Sequence, residues 1–169
     1  MNKKILVTGG AGYIGCHVVE DLINSNFQVI VIDRLSFDSN SLNRIKDHKK
    51  LIIVKEDLRN INNLEKHLDG VEAVIHLAAL VGEAACNISE RDTISTNYDS
   101  TIKLCDLAVK SKVKKFIFMS TASSYGVQDT NEIANEKTKL NPVSLYAKTK
   151  IDCENDLLDK FSDDINITI

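Results

Sequence analysis

Short apolar runs recur along the chain at residues 5–7, 28–32, 51–54, 73–77, 116–119 and 165–169. The segments between them carry apolar residues at helical spacing with polar faces opposite, a pattern that predicts strands alternating with helices. Strands this apolar are not half exposed. They predict a parallel sheet covered on both faces by right-handed crossovers, an α/β doubly wound arrangement with strand order 3-2-1-4-5-6.

A chain of 169 residues, 43% of them hydrophobic, can bury one sizeable core, so residues 1–169 read as a single domain. One proline and no Ser/Gly-rich tract leave no obvious linker or repeat. The last strand candidate, "INITI", is also the end of the sequence, and the polypeptide is expected to continue beyond it.

The first strand runs straight into "GGAGYIG", with Gly9, Gly10, Gly12 and Gly15 ahead of an amphipathic stretch. Glycine within an element costs about 1 kcal/mol against alanine, so the cluster marks a tight turn or a close ligand approach. Gly9, Gly12 and Gly15 fit GxxGxxG, while Gly10, Gly12 and Gly15 fit GxGxxG, and spacing leaves the register open. In either register the loop opens a helix whose free N–H groups and positive end can hold a pyrophosphate. Asp33 ends the second strand 18 residues after Gly15, where a carboxylate can accept from an adenosine ribose diol. It would repel a 2′-phosphate, which favours NAD over NADP, with Arg34 pulling the other way. Asp57, after the third strand, is the next polar group able to face the adenine.

Charge and cysteine usage narrow the function classes. The net charge is −3, from 21 basic and 24 acidic residues, and the Lys-rich pieces at 46–50 and 110–115 are short, so a nucleic-acid surface is not expected. Cys16, Cys86, Cys105 and Cys153 form no CxxC pair and have no histidine at metal-ligand spacing. They read as reduced thiols of a cytoplasmic protein without a metal centre. The apolar runs are too short to span a bilayer, and "MNKKILVTGG" is no signal peptide.

Tyr146 and Lys150 in "SLYAKTK" stand four apart on a helix expected after Pro142, which puts them on one face. A nearby ammonium would lower the phenol pKa and let Tyr146 take a proton from an alcohol. Alone, YxxxK is a common accident; downstream of a dinucleotide loop it reads as a working pair. "FIFMSTASSYG", residues 116–126, runs off the fifth strand into a hydroxyl-rich turn where open α/β sheets bind ligands.

These pieces resemble the extended short-chain dehydrogenase/reductase family of NAD-dependent sugar-nucleotide epimerases, dehydratases and reductases. "VTGGAGYIG", "VID", "EDLR", "HLAA", "TNYDST", "STASSYG" and "YAKTK" occur in family order over essentially the whole chain. The resemblance implies a Rossmann-type cofactor domain, with the family's substrate domain missing from these residues. It implies that Gly9, Gly12, Tyr13, Ile14 and Gly15 surround the NAD pyrophosphate and that Asp33 holds the adenosine ribose. Asp57 with Leu58 would meet the adenine, and Leu77, Ala78, Ala79 and Asn97 would line the cofactor cleft. Thr121, Tyr146 and Lys150 would be catalytic, with Tyr146 and Lys150 also contacting the cofactor. Val81, Gly82, Glu83, Thr121 and Ser123 would face the sugar. Asn97 would serve helix-start or water contacts, Ser100 stands where the family has a glycine, and His76 has a structural rather than a proton-transfer role.

Family members that dehydrate sugars carry Asp and Glu immediately after the catalytic Thr, where this chain has Ala122 and Ser123. The resemblance therefore implies an epimerase, in which NAD oxidises a sugar hydroxyl and the keto sugar is reduced again. The alternatives are a sugar-nucleotide reductase, dehydrogenase or dehydratase, or a non-catalytic NAD-binding module. A homodimer packed through helices at 92–111 and 144–160 is also implied, with Ile94, Ile102, Leu104, Ile151, Leu157 and Leu158 as core or interface positions.

Overall fold

The computed structural model describes residues 3–36, 39–60, 62–127 and 133–169. Six strands, β1 (Lys4–Thr8), β2 (Gln28–Asp33), β3 (Leu51–Lys55), β4 (Val71–His76), β5 (Lys115–Phe118) and β6 (Asn166–Thr168), form one sheet in the order β3-β2-β1-β4-β5-β6. Every pairing is parallel, as the apolar runs predict.

Alternation along the strands sends Ile5, Val7, Val29 and Val31 to one face and Leu6, Ile30, Ile32, Phe116 and Phe118 to the other. The first face packs against α1 (Tyr13–Asn24) through Val19 and Ile23. The second packs against α2 (Leu64–Leu68), α5 (Ser100–Lys110) and α6 (Leu145–Phe161) through Leu68, Leu104 and Leu157. Burying a side chain such as Phe116 or Leu104 contributes about 1.5–3 kcal/mol, so both faces of the sheet hold the helices in place. Leu104 and Leu157, expected as core or interface positions, are fully buried in this core.

The helix expected at 92–111 runs from Glu90 to Lys110, but its winding changes along the way. A short helix α3 (Glu83–Ile88) precedes it, and α4 (Glu90–Ile94) passes through a π turn at Ser95–Asp99 directly into α5 at Ser100. Asn97 explains the widening: its buried amide is drawn to the Leu80 backbone, accepting from Leu80 N–H at 2.7 Å and donating to Leu80 C=O at 3.0 Å. Asn97 is thus a clamp within the π turn rather than a helix-start residue. Ser100 is buried there and donates to Thr96 C=O at 2.6 Å. The helix expected after Pro142 begins at Leu145, with Ser144 as its cap through a 3.2 Å bond from Ala147 N–H.

The register aligns Thr8 with Ile32 on one side and His76 on the other, and His76 with Phe118. Four strands therefore end at one level, and their carboxyl ends bring the glycine turn, Asp33, the 77–82 loop and the Thr121 turn onto one rim.

Candidate active site

The glycine turn is built on backbone approaches that only glycine permits. Gly9 has φ +70°, and a Cβ there would lie 2.7 Å from Ala78 N; at Gly15 it would lie 2.2 Å from Gly9 O. At Gly10 the conflict is with the side chain of Val31, whereas a Cβ on Gly12 would meet only Gly9 O, at 3.2 Å, and otherwise open space. The GxxGxxG register is the one in which the first and last glycines are needed by the turn and the middle one keeps its outer side clear. No side chain caps the start of α1, where Tyr13 is 88% and Ile14 50% exposed.

Asp33 organises this turn as well as closing β2. Its carboxylate accepts from Ala11 N–H at 3.0 Å and from Leu35 N–H at 2.8 Å, which fixes both oxygens beside the uncapped helix end. The combination of a small-residue turn, free helix N–H groups and a fixed carboxylate fits a dinucleotide bound through pyrophosphate and ribose.

Asp57 is held by Arg59 through three guanidinium contacts of 2.8–3.1 Å, with Arg34 at 3.5 Å. The Arg59 hydrogen bonds hold its carboxyl below the usual carboxylate range, against the opposing effect of burial. Arg59 also reaches Asp92 on α4 at 2.9 Å, so one side chain joins the β3–α2 loop to α4. In the sequence this role of Arg59 is signalled only by an arginine two places after Asp57 in "EDLR". Leu58 beside it is a buried core residue.

The chemistry-bearing side chains gather at the end of β5. Thr121 is extended and heads a 3₁₀ turn at Ala122–Tyr125, its hydroxyl accepting from Ser123 N–H at 3.2 Å. The neighbouring Thr121 hydroxyl favours the Tyr146 phenolate, yet burial outweighs it and the phenol stands above its ordinary pKa. The expectation of a lowered phenol pKa is corrected for the protein on its own: desolvation is the larger effect, with the Cys86 thiol adding to it. Lys150, one turn on, is 2% exposed and donates to Met119 C=O at 2.6 Å, with its ammonium 4.2 Å from the Phe118 ring centroid. Burial brings its pKa down to about 8.

Around this centre Val81 is 58% exposed and Gly82 has φ +91° with open space where a Cβ would be. Ser123 is exposed on the same rim, and Leu77, Ala78 and Ala79 form the partly buried strand exit beside Gly9. Glu83 opens α3, but its side chain lies outside the described residues. Ser124 is buried with its hydroxyl unpartnered among the described residues. Among the described residues no cluster offers metal ligands, and no helix is long and apolar enough to cross a membrane.

A doubly wound parallel sheet with a glycine turn at its switch point and a Thr-Tyr-Lys group off β5 defines a dinucleotide-binding domain of the short-chain dehydrogenase/reductase type. The NAD dependent epimerase/dehydratase family matches residues 5–164, and the chain belongs to that family. It is 38% identical over 162 residues to UDP-glucose 4-epimerase of Bacillus subtilis (strain 168), covering 92% of this chain and 47% of that protein. Among solved structures, UDP-N-acetylglucosamine 4-epimerase from Methanobrevibacter ruminantium M1, in complex with UDP-N-acetylmuramic acid, superposes with a TM-score of 0.88 at 33% identity, over 98% of this chain and 53% of that one. UDP-glucuronic acid 4-epimerase from Bacillus cereus, in complex with UDP-glucuronic acid and NAD, gives 0.87 at 29% identity, over 97% of this chain and 54% of that one. The chain thus spans about half the length of the relatives it matches.

Proposed function

We propose that these residues are the NAD-binding half of a sugar-nucleotide 4-epimerase, whose sugar-nucleotide domain lies outside this sequence. The observation that carries the reading is the convergence of Thr121, Tyr146 and Lys150 on the rim that also holds the glycine turn and Asp33. The epimerase names among the relatives support it, as does the absence of a carboxyl group at Ala122 and Ser123. When bound, NAD supplies a hydride acceptor for oxidising the sugar and a donor for reducing it.

On this reading the backbone N–H groups of the glycine turn and the start of α1 hold the pyrophosphate, and Asp33 holds the adenosine ribose. Asp57 and Leu58 border the adenine, and Leu77, Ala78 and Ala79 line the cleft. Tyr146 takes the proton of the sugar hydroxyl and returns it, with Thr121 orienting the same oxygen. Lys150, held on Met119 C=O, faces the nicotinamide ribose. Asn97 acts indirectly, through Leu80.

The test is the product formed by the full-length protein on UDP-, dTDP- and GDP-hexoses. An epimer formed without net NADH is the expected outcome, and Tyr146→Phe should abolish it. Loss of water to a 4-keto-6-deoxy sugar would overturn the epimerase assignment in favour of a dehydratase.

The same reading places the protein in the cytoplasm, supported by four free cysteines. It makes the protein a homodimer through the helices at 92–111 and 144–160, where Ile94, Tyr98, Leu145 and Asp152 line a groove of ≈ 470 Å³ and Leu158 is 47% exposed. Sedimentation of the full-length protein checks the dimer.

A further inference from the structure

A chain of buried hydrogen bonds crosses the sheet under the site. Ala78 N–H lies 3.3 Å from Thr8 Oγ1, Thr8 Oγ1 2.5 Å from His76 Nδ1, and His76 Nε2 2.8 Å from Thr101 Oγ1. Thr101 Oγ1 then donates to Asn97 C=O at 2.6 Å, and the Asn97 side chain grips both polar atoms of the Leu80 backbone. Thr8, His76, Asn97 and Thr101 are all at most 1% exposed, so no water competes for these bonds.

The Asn97 end of the chain fixes its direction. Thr8 accepts from Ala78 N–H and keeps its own proton available for His76 Nδ1. A carbonyl can only accept, so Thr101 commits its proton to Asn97 and must receive one from His76 Nε2. Every donor and acceptor is satisfied by a neutral ring protonated on Nε2. Full burial and the nearby Lys150 charge keep the ring neutral, bringing its pKa down to about 3.

We propose that His76, locked as the Nε2–H tautomer, is a positioning residue that holds residues 78 and 80 from one ring, and so sets the cofactor-facing backbone and the sugar-facing loop relative to each other. Ala78 is the residue against which Gly9 packs without room for a Cβ, and Leu80 precedes the exposed Val81. A displacement at either end of the relay moves one wall of the cleft. The part of this inference that concerns the cofactor rests on the NAD-binding reading; the tautomer and the two anchored amides do not.

The wild-type 169-residue chain, labelled with ¹⁵N, tests the tautomer directly. Long-range ring correlations should show His76 protonated on Nε2 alone and unchanged between pH 8 and 5, whereas an Nδ1–H ring or a second proton in that range would overturn the assignment. Two variants separate the halves. His76→Asn leaves an acceptor near the Nδ1 position, so exchange of the Leu80 amide should quicken about ten-fold while that of Ala78 stays within about two-fold. His76→Gln reaches the Nε2 position as a donor and should give the reverse, together with an NAD affinity about ten-fold weaker. Equal effects of the two variants on both amides would overturn the relay, and wild-type protein that bound no NAD would overturn the cofactor reading while leaving the exchange result to decide the relay.

Discussion

The ammonium of Lys150 donates to the carbonyl of Met119 at 2.6 Å, tying the second turn of α6 to the chain just past β5. Burial makes folding oppose protonation of this lysine, and its pKa of about 8 lies below the ordinary 10.5. Between these values the unfolded chain binds more protons than the folded one, so stability rises with pH through the window from about 8 to 10.5. The difference in denaturant unfolding between wild type and Lys150→Met should show this rise, on the order of 3 kcal/mol at most, while the buried Cys105 and Cys153 thiols lower the stability of both proteins above about pH 9. A wild-type curve that stayed parallel to that of the variant would contradict the buried, charged placement.

The glycines of the turn should separate by function. Gly9→Ala and Gly15→Ala put a Cβ within 2.7 and 2.2 Å of backbone atoms, so both should lower stability by about 2 kcal/mol or more. Gly12→Ala should fold within about 1 kcal/mol of wild type, because it meets only Gly9 O, at 3.2 Å. Its methyl group nonetheless occupies the approach to the helix end, so NAD affinity should fall about ten-fold or more. Thermal melts and calorimetric titration, run side by side, check both halves.

Arg59 should show itself in acid. The folded pKa of Asp57 is lowered, so its contribution is present above the ordinary value of 3.8 and is lost as pH falls through the folded value. Arg59→Gln removes the main cause of that lowering, so the variant should lose about 1 kcal/mol at pH 6 and have a shallower loss of stability below pH 4. Unfolding curves at pH 6, 4 and 3 measure the difference, and parallel acid limbs would count against the pairing.

Thiol reactivity should sort the four cysteines by burial. Cys86, Cys105 and Cys153 are at most 1% exposed, and desolvation raises all three pKa values, those of Cys105 and Cys153 to about 12. Cys16 is only partly buried, on α1. A disulfide reagent at pH 8 should therefore find one fast thiol, and the other three only as the chain unfolds. Any fast thiol left in Cys16→Ser would show that the core opens locally.

Strand positions and sheet order were determined by the sequence because burial on both faces forces runs such as 29–32 to be continuously apolar, a pattern read from neighbours in the chain. The glycine spacing, Asp33 and the Tyr146–Lys150 interval were legible for the same reason: each depends on local geometry at a strand end or along one helix face. Spacing could not choose between Gly9 and Gly10, because the choice rests on the backbone of Ala78, which lies in the loop after β4. Nor could it find the π turn, since Asn97 is drawn out of regular helix by Leu80, 17 residues earlier. The phenol of Tyr146 went the other way from expectation because desolvation is a sum over everything packed around it, and the roles of Arg59 and His76 come from partners 33, 68 and 25 positions away. What the tertiary structure alone decided is which polar groups face one another across elements, since burial and hydrogen-bond direction exist only once the helices have closed on the sheet.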